Sequence, residues 1–295
     1  MTKSWKIFVI LAQEYWEFFD LTFLKFFIYI IYSRINDYIM TIDIYWHICQ
    51  LSNWKSIIEE QYKTISDSGL IEKCDNIYIG FLGKDVNDIH FLTQRSNKIK
   101  VFAFSKFKEH CERLTLNAMR EHVIRSNEES YILYIHSKGV TRDPDDKGIK
   151  LWREVMQYFL IEKYELCLKL LETGAQTVGV NAINSGNLKQ KIDDESHCCC
   201  YSGNFWWSSS KHIANLPMIP ETPRNMIPDN FFWLCERWLM CKSGTFIEIY
   251  NSGFPHFYGI LPENIGDYKN KLYFRYLQLD RNKTIIRVPF RILDI

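Results

Sequence analysis

Residues Tyr131–Val140 read YILYIHSKGV, and the fold turns on how that stretch divides. Tyr131 to Ile135 is an unbroken run of aromatic and aliphatic side chains, which His136, Ser137, Lys138 and Gly139 end abruptly. A continuous apolar run of that length fits a strand buried on both faces, as at the centre of a parallel or mixed sheet. In open α/β sheets ligands lie just beyond the carboxyl ends of such strands, so the polar tetrad stands where chemistry is usually found. A plain turn closed by Gly139 would explain the same four residues without any chemistry.

Outward from this stretch the chain alternates between strand and helix patterns. Upstream, Ile42–Cys49 reads as a strand, and Ser52 or Asn53 opens a helix with Trp54, Ile57, Ile58, Tyr62 and Ile65 on one stripe. Asn76–Leu82 and Lys100–Phe104 read as strands, and a helix opening at Ser105 would place Phe107, Cys111, Leu114 and Ala118 on one face. Downstream, a polar loop carrying Asp143-Pro-Asp145-Asp146 leads into a long helix with Trp152, Val155, Met156, Phe159, Leu160, Tyr164, Cys167, Leu168 and Leu171 inward. Gly174 ends it, and Thr177–Val180 is a further strand running into Asn181. The alternation predicts an α/β domain, a single mixed, mostly parallel sheet flanked by helices, from residue 40 to residue 295.

Residues 1–39 are expected to be an apolar extension outside that domain. Lys25 interrupts Leu21–Tyr32 and Arg34 ends it, whereas a spanning helix needs about 20 largely apolar residues and each central charge costs about 2.5–3.5 kcal/mol. No transmembrane segment is therefore expected, and Gln13 and Glu14 cut Ile7–Ala12 too short for a signal peptide. Contact of residues 7–33 with a membrane surface stays open.

Composition narrows the partners. The 295 residues carry a formal net charge of +1, against the basic excess of a dedicated nucleic-acid binder, so no nucleic acid is expected. Nine cysteines, an odd number with no CxxC pair, fit free thiols in a reducing, cytoplasmic compartment. A zinc site from His197 with Cys198 or Cys200 has weak support in this spacing.

Two further stretches could carry chemistry. In Tyr201–Trp207, YSGNFWW, Gly203 permits a turn between the short polar residues Ser202 and Asn204. Consecutive residues of a strand point to opposite faces, so one of Trp206 and Trp207 is expected to line a cleft or an inter-element seam. In Asp229–Cys241, Asp229 is placed to cap a helix in which Glu236 lies among Trp233, Leu234, Trp238 and Leu239. A carboxylate in such surroundings either pairs with Arg224 or Arg237, or has its pKa raised toward that of a general base.

Taken in order, IDIYWHICQLSNW, YILYIHSKGV, LWREVMQYF, VGVN, HCCCYSGNFWW, LCERW and YNSGFPHFYG resemble a group of glycosyltransferase-like proteins of large DNA viruses and some bacteria. Those proteins have a type-A fold that binds nucleotide-diphosphate sugars, and HSKG followed by SGNFWW is the most specific part of the resemblance. It implies an enzyme of glycan biosynthesis that moves a sugar from a nucleotide-diphosphate donor to a glycan or other hydroxyl acceptor. By resemblance, His47 and Gln50 would approach the base, and His136, Ser137 and Lys138 the diphosphate. Ser202, Gly203, Asn204, Trp206 and Trp207 would wall the sugar and acceptor pocket. Glu236 would take the acceptor proton; failing Glu236, the role would move to Asp229 or Asp193.

The type-A pattern also implies a divalent cation, Mn or Mg, held by an Asp-x-Asp after the central strand. Here that position reads His136-Ser137-Lys138, and Asp143-Pro-Asp145 lies farther on. Two other classes fit the residues: a catalytically inactive carbohydrate-binding relative, and a metal-dependent hydrolase using Asp193, Asp194 and His197 with His136.

Overall fold

A computed structural model of the protein describes residues 40–184, 199–221, 231–252, 267–270, 275–279 and 285–289. The chain divides into two compact units, residues 1–40 and residues 41–295. The expectations for residues 1–39 lie outside the described residues, as do those for Asp193, Asp194, His197, Arg224 and Asp229.

Strands β1 (Thr41–Cys49), β2 (Asn76–Leu82), β3 (Ile99–Ser105), β4 (Ser130–His136), β5 (Thr177–Val180), β8 (Trp206–Ser209), β9 (Gly244–Tyr250), β10 (Arg275–Leu279) and β11 (Ile285–Pro289) form one sheet. Their order is β11-β10-β9-β5-β8-β4-β1-β2-β3, and β6 (Ala182–Asn184) pairs separately with β7 (Cys199–Tyr201). β1 to β4 pair in parallel, β5 pairs in parallel with β9, and β8 runs antiparallel between β4 and β5. The sheet is mixed and mostly parallel as far as β9, which is the expected class; β10 and β11 extend it as an antiparallel edge that the sequence reading did not separate.

From β1 the chain moves outward to β2 and β3, then returns to the opposite side at β4. The strand order therefore reverses between β1 and β4, and the crevice beyond the carboxyl ends at such a reversal is where open α/β sheets bind ligands. His47 and His136 lie side by side there in the β1–β4 register.

Two cores sandwich the sheet. Helices α1 (Trp54–Asp67), α3 (Lys147–Gln157) and α4 (Tyr164–Glu172) cover one face, and α2 (Arg113–Ser126), α5 (Ser210–Asn215) and α6 (Phe231–Trp238) the other. Along β4, Leu133 and Ile135 enter the first core while Ile132 and Tyr134 enter the second, which is why the run is apolar without a break. The same alternation corrects the expectation for the tryptophan pair: Trp206 and Trp207 are 1% and 0% exposed, one in each core. A π-helical turn, Tyr158–Glu162, joins α3 to α4, and the Trp207 indole donates to the Leu160 carbonyl within it at 2.7 Å.

One helix boundary departs from expectation. The Ser105 hydroxyl accepts from the Phe107 amide and makes a turn rather than a helix start, so α2 begins only at Arg113 and Phe107 is exposed. The inward stripe is then Leu116, Met119 and Val123. Gly80 sets how closely this helix approaches: a Cβ there would lie 1.8 Å from Thr115 Oγ1. The missing side chain on β2 lets the first turn of α2 settle on the sheet and brings Glu112 to the strand ends.

Candidate active site

The HSKG turn is braced from helices α1 and α3. Gln61, fully buried on α1, accepts from the Trp46 indole at 2.9 Å and donates to the His136 carbonyl at 2.7 Å. Arg153 on α3 forks onto both oxygens of Glu60 at 2.8 and 2.7 Å and donates to the Lys138 carbonyl at 3.1 Å. Burial pushes the Glu60 carboxyl up, but Arg153 and Gln157 outweigh it and the net shift is downward, so the brace stays ionised. Ser137 is buried; its amide donates to the His47 carbonyl and its hydroxyl accepts from the Cys49 amide, each at 2.9 Å. This corrects the donor-contact expectation for Ser137, which stitches the turn to β1 instead.

His47 also faces inward. Its ring is 3% exposed and Nδ1 shares a 2.7 Å hydrogen bond with the Thr115 hydroxyl, so it cannot meet a nucleotide base. Gln50 lies half-buried at the end of β1, donating to Asp88 at 2.8 Å and accepting from the Lys84 amide at 2.7 Å. Burial lowers the His47 pKa to about 4, with His136 adding to the fall and Glu112 opposing it. The unfolded chain takes up this proton below its ordinary 6.5, whereas the folded chain resists until about 4. Stability is thus fully present above pH 6.5 and falls as pH drops toward 4, by about 3 kcal/mol for this group. His47→Asn, which keeps a partner for Thr115, should flatten that part of the curve of Tm against pH; an unchanged slope would remove His47 as its cause.

The centre of the site is a residue that the sequence reading missed. Glu112, at the N-terminus of α2, accepts on Oε2 from the Tyr134 hydroxyl at 2.8 Å and from Asn204 Nδ2 at 2.6 Å. Its Oε1 stands 3.7 Å from His136 Nδ1. Burial would raise its pKa, but His136, His47, the Tyr134 hydroxyl and Lys138 together hold it below the ordinary value, helped by the helix terminus. Nothing local in KEHCER marks this glutamate. The available signal was its position, since the helix after β3 must start at the carboxyl end of the sheet.

His136 Nε2 donates to the Gly203 carbonyl at 2.8 Å, so both ring nitrogens face protein groups rather than a diphosphate. The ring ties the end of β4 to the SGN turn. Gly203 has φ +90°, and a Cβ there would meet Met156 Sδ at 2.5 Å and Trp152 Nε1 at 2.8 Å, so glycine is required on both counts. Asn204, 1% exposed, uses both ends of its amide, donating to Glu112 and accepting from the Trp206 indole at 2.8 Å. Ser202 is buried, and its hydroxyl has no hydrogen-bond partner among the described residues. As a wall for sugar, Asn204, Trp206 and Trp207 are therefore corrected to supports beneath the site.

Two charges remain unspent. The Lys138 ammonium lies over the Trp152 ring at 4.2 Å from its centroid and has no anionic partner among the described residues. Glu236, half-buried on α6, makes no ion pair or hydrogen bond among the described residues. Burial raises its pKa; Lys138 and Arg237 pull it down and Glu112 pushes it up, which couples its carboxylate electrically to the strand-end cluster.

The residues where β4 ends do not fit the cation of an Asp-x-Asp. His136 has both nitrogens turned to protein groups, Ser137 is buried, and Lys138 is itself a cation, whereas Mn or Mg needs several oxygen ligands. Asp143 and Asp145 lie on an exposed loop, Asp143 Oδ1 accepting from the Asp145 amide at 3.0 Å. Among the described residues no three His, Cys, Asp or Glu side chains converge on a metal position. Among the same residues, no helix is long and apolar enough to cross a membrane.

Fold and site together define an α/β protein with a charged, polar cluster at the carboxyl ends of its central parallel strands, at the point where the strand order reverses. The chain belongs to the family described as Domain of unknown function (DUF8361), which residues 43–226 match. No curated protein matches the sequence. Among solved structures it is similar to the crystal structure of 4-diphosphocytidyl-2C-methyl-D-erythritol synthase from Anaerococcus prevotii DSM 20548. The identity is 13% and the TM-score 0.38, over 77% of this chain and 95% of that one.

Proposed function

We propose that the protein is a glycosyltransferase acting on a nucleotide-diphosphate sugar, with a glycan or other hydroxyl compound as acceptor. The observation that carries this reading is a pair of charges without ionic partners among the described residues: an ammonium, Lys138, at the strand-order reversal, and the carboxylate of Glu236, on which that ammonium acts. In the reaction the acceptor oxygen forms a bond to the anomeric carbon as the bond from that carbon to the diphosphate breaks. The acceptor proton passes to Glu236, and the electron pair leaves with the diphosphate, whose added charge Lys138 offsets. Asn204 and Arg153 touch neither reactant in this scheme; they fix the two turns that present the working groups.

A panel of nucleotide-diphosphate sugars followed by thermal shift and ligand-detected NMR, with and without manganese, tests this. One donor should raise Tm selectively, and incubation with that donor and a panel of glycan acceptors should release nucleotide diphosphate. Binding without release would indicate a carbohydrate-binding protein, and no binding to any donor would overturn the proposal.

A further inference from the structure

Glu112 and His136 each leave one acceptor uncommitted. The Gly203 carbonyl can only accept, so its 2.8 Å contact fixes the His136 proton on Nε2 and makes Nδ1 of the neutral ring a lone-pair acceptor. Burial favours that neutral ring, with Lys138 acting in the same direction, while Glu112 and the Gly203 carbonyl oppose it; the net shift is downward. On Glu112, both donors among the described residues go to Oε2 and none to Oε1. Nδ1 and Oε1 then face each other at 3.7 Å, acceptor against acceptor, on side chains 11% and 15% exposed. With Nδ1 unprotonated, acceptors this enclosed are satisfied by donors that enter from outside, water in the free protein and a ligand in the bound one.

We propose that the Glu112 Oε1 and His136 Nδ1 pair is a hydroxyl-binding subsite that takes the O–H donors of two adjacent hydroxyls on a sugar. The choice of a sugar rests on the glycosyltransferase reading; the demand for a neutral donor does not. Two O–H donors satisfy Oε1 and a neutral Nδ1 without adding a charge beside the Lys138 ammonium, which acts on both members of the pair. The charged or titratable groups around the pair include His47 on β1, Tyr134 on β4, Lys138 in the turn, Glu236 on α6 and the thiols of Cys49, Cys111 and Cys235.

The test follows the imidazole nitrogens of His136 by 15N NMR at pH 7.5 while the methyl glycosides of glucose, galactose and mannose are added to the full chain. In the free protein Nδ1 should be unprotonated, and at least one glycoside should move its resonance. Glu112→Gln provides the control, because a glutamine can accept from Tyr134 and Asn204 on its oxygen while its own N–H₂ donates to His136 Nδ1. The variant should keep its Tm yet bind the active glycoside about tenfold or more weakly, since a hydrogen bond to a charged acceptor is lost. A protonated Nδ1 in the free protein, an Nδ1 unmoved by all three glycosides, or undiminished binding by Glu112→Gln would each overturn the subsite. Titrating UDP, GDP and ADP into the same samples separates the two proposals. A glycoside response without nucleotide binding sinks only the donor reading, and nucleotide binding with a silent His136 sinks only the subsite.

Discussion

Glu236→Gln is expected to reduce turnover by about 10²–10⁴-fold while leaving donor and acceptor binding close to that of the parent, because shape and most hydrogen-bonding capacity survive and only the proton acceptor is lost. The direction of the stability change separates this from a structural role. A carboxylate whose pKa is raised by burial costs folding energy whenever it is charged, so stability falls as pH rises from the unfolded to the folded pKa. At neutral pH the neutral amide should therefore leave Tm unchanged or higher. A glutamate kept for a buried ion pair would do the reverse, lowering Tm and sparing the rate of the surviving folded protein. Rate and Tm measured on one preparation decide the matter, and a rate within a few fold of the parent would remove Glu236 from the mechanism.

The same pH argument fixes the rate profile. Glu236 accepts a proton only when ionised, so activity should fall as pH drops through its raised pKa, at a higher pH than an ordinary carboxylate would give. Substituting Lys138, which pulls that pKa down, should move the fall to still higher pH.

The part of this protein that local pattern could reveal is the part that local pattern determines. The run Tyr131–Ile135 is apolar at every position because β4 is covered on both faces, and the polar break after it marks the end of the strand. Opposite-face geometry puts Trp206 and Trp207 on different sides of β8 but does not say that either side is open; with two cores, both are buried. Glu112, Gln61 and Arg153 carry no local signal, since each works through a partner far away in sequence: Asn204, His136 and Glu60. The residues of HSKG and SGN were found, but their roles were assigned by proximity to a ligand. Hydrogen-bond accounting instead turns Ser137 and Asn204 inward, commits His136 Nε2 to the Gly203 carbonyl, and leaves Lys138 as the charge available to a ligand.

Lys138→Ala should weaken binding of a nucleotide diphosphate by about 1.5–3 kcal/mol, roughly 10- to 150-fold, with the fold intact. The fold should survive because the turn is held by backbone and by other side chains: the His136 carbonyl by Gln61, the Lys138 carbonyl by Arg153, and the Ser137 amide and hydroxyl by β1. The lysine side chain itself contributes only its contact with Trp152, a cation–π pair worth about 0.5–2 kcal/mol. The loss should shrink as salt rises, since the ammonium is half-buried and screening acts on its approach to the phosphates. Lys138→Arg should recover part of the affinity, because guanidinium can both stack on Trp152 and meet phosphate oxygens, though from a different reach. Calorimetric titration of the parent and both variants with the responsive nucleotide diphosphate gives the answer. If Lys138→Ala binds as the parent does, the diphosphate lies elsewhere, and the strand-end ammonium serves only to hold Trp152 against the SGN turn.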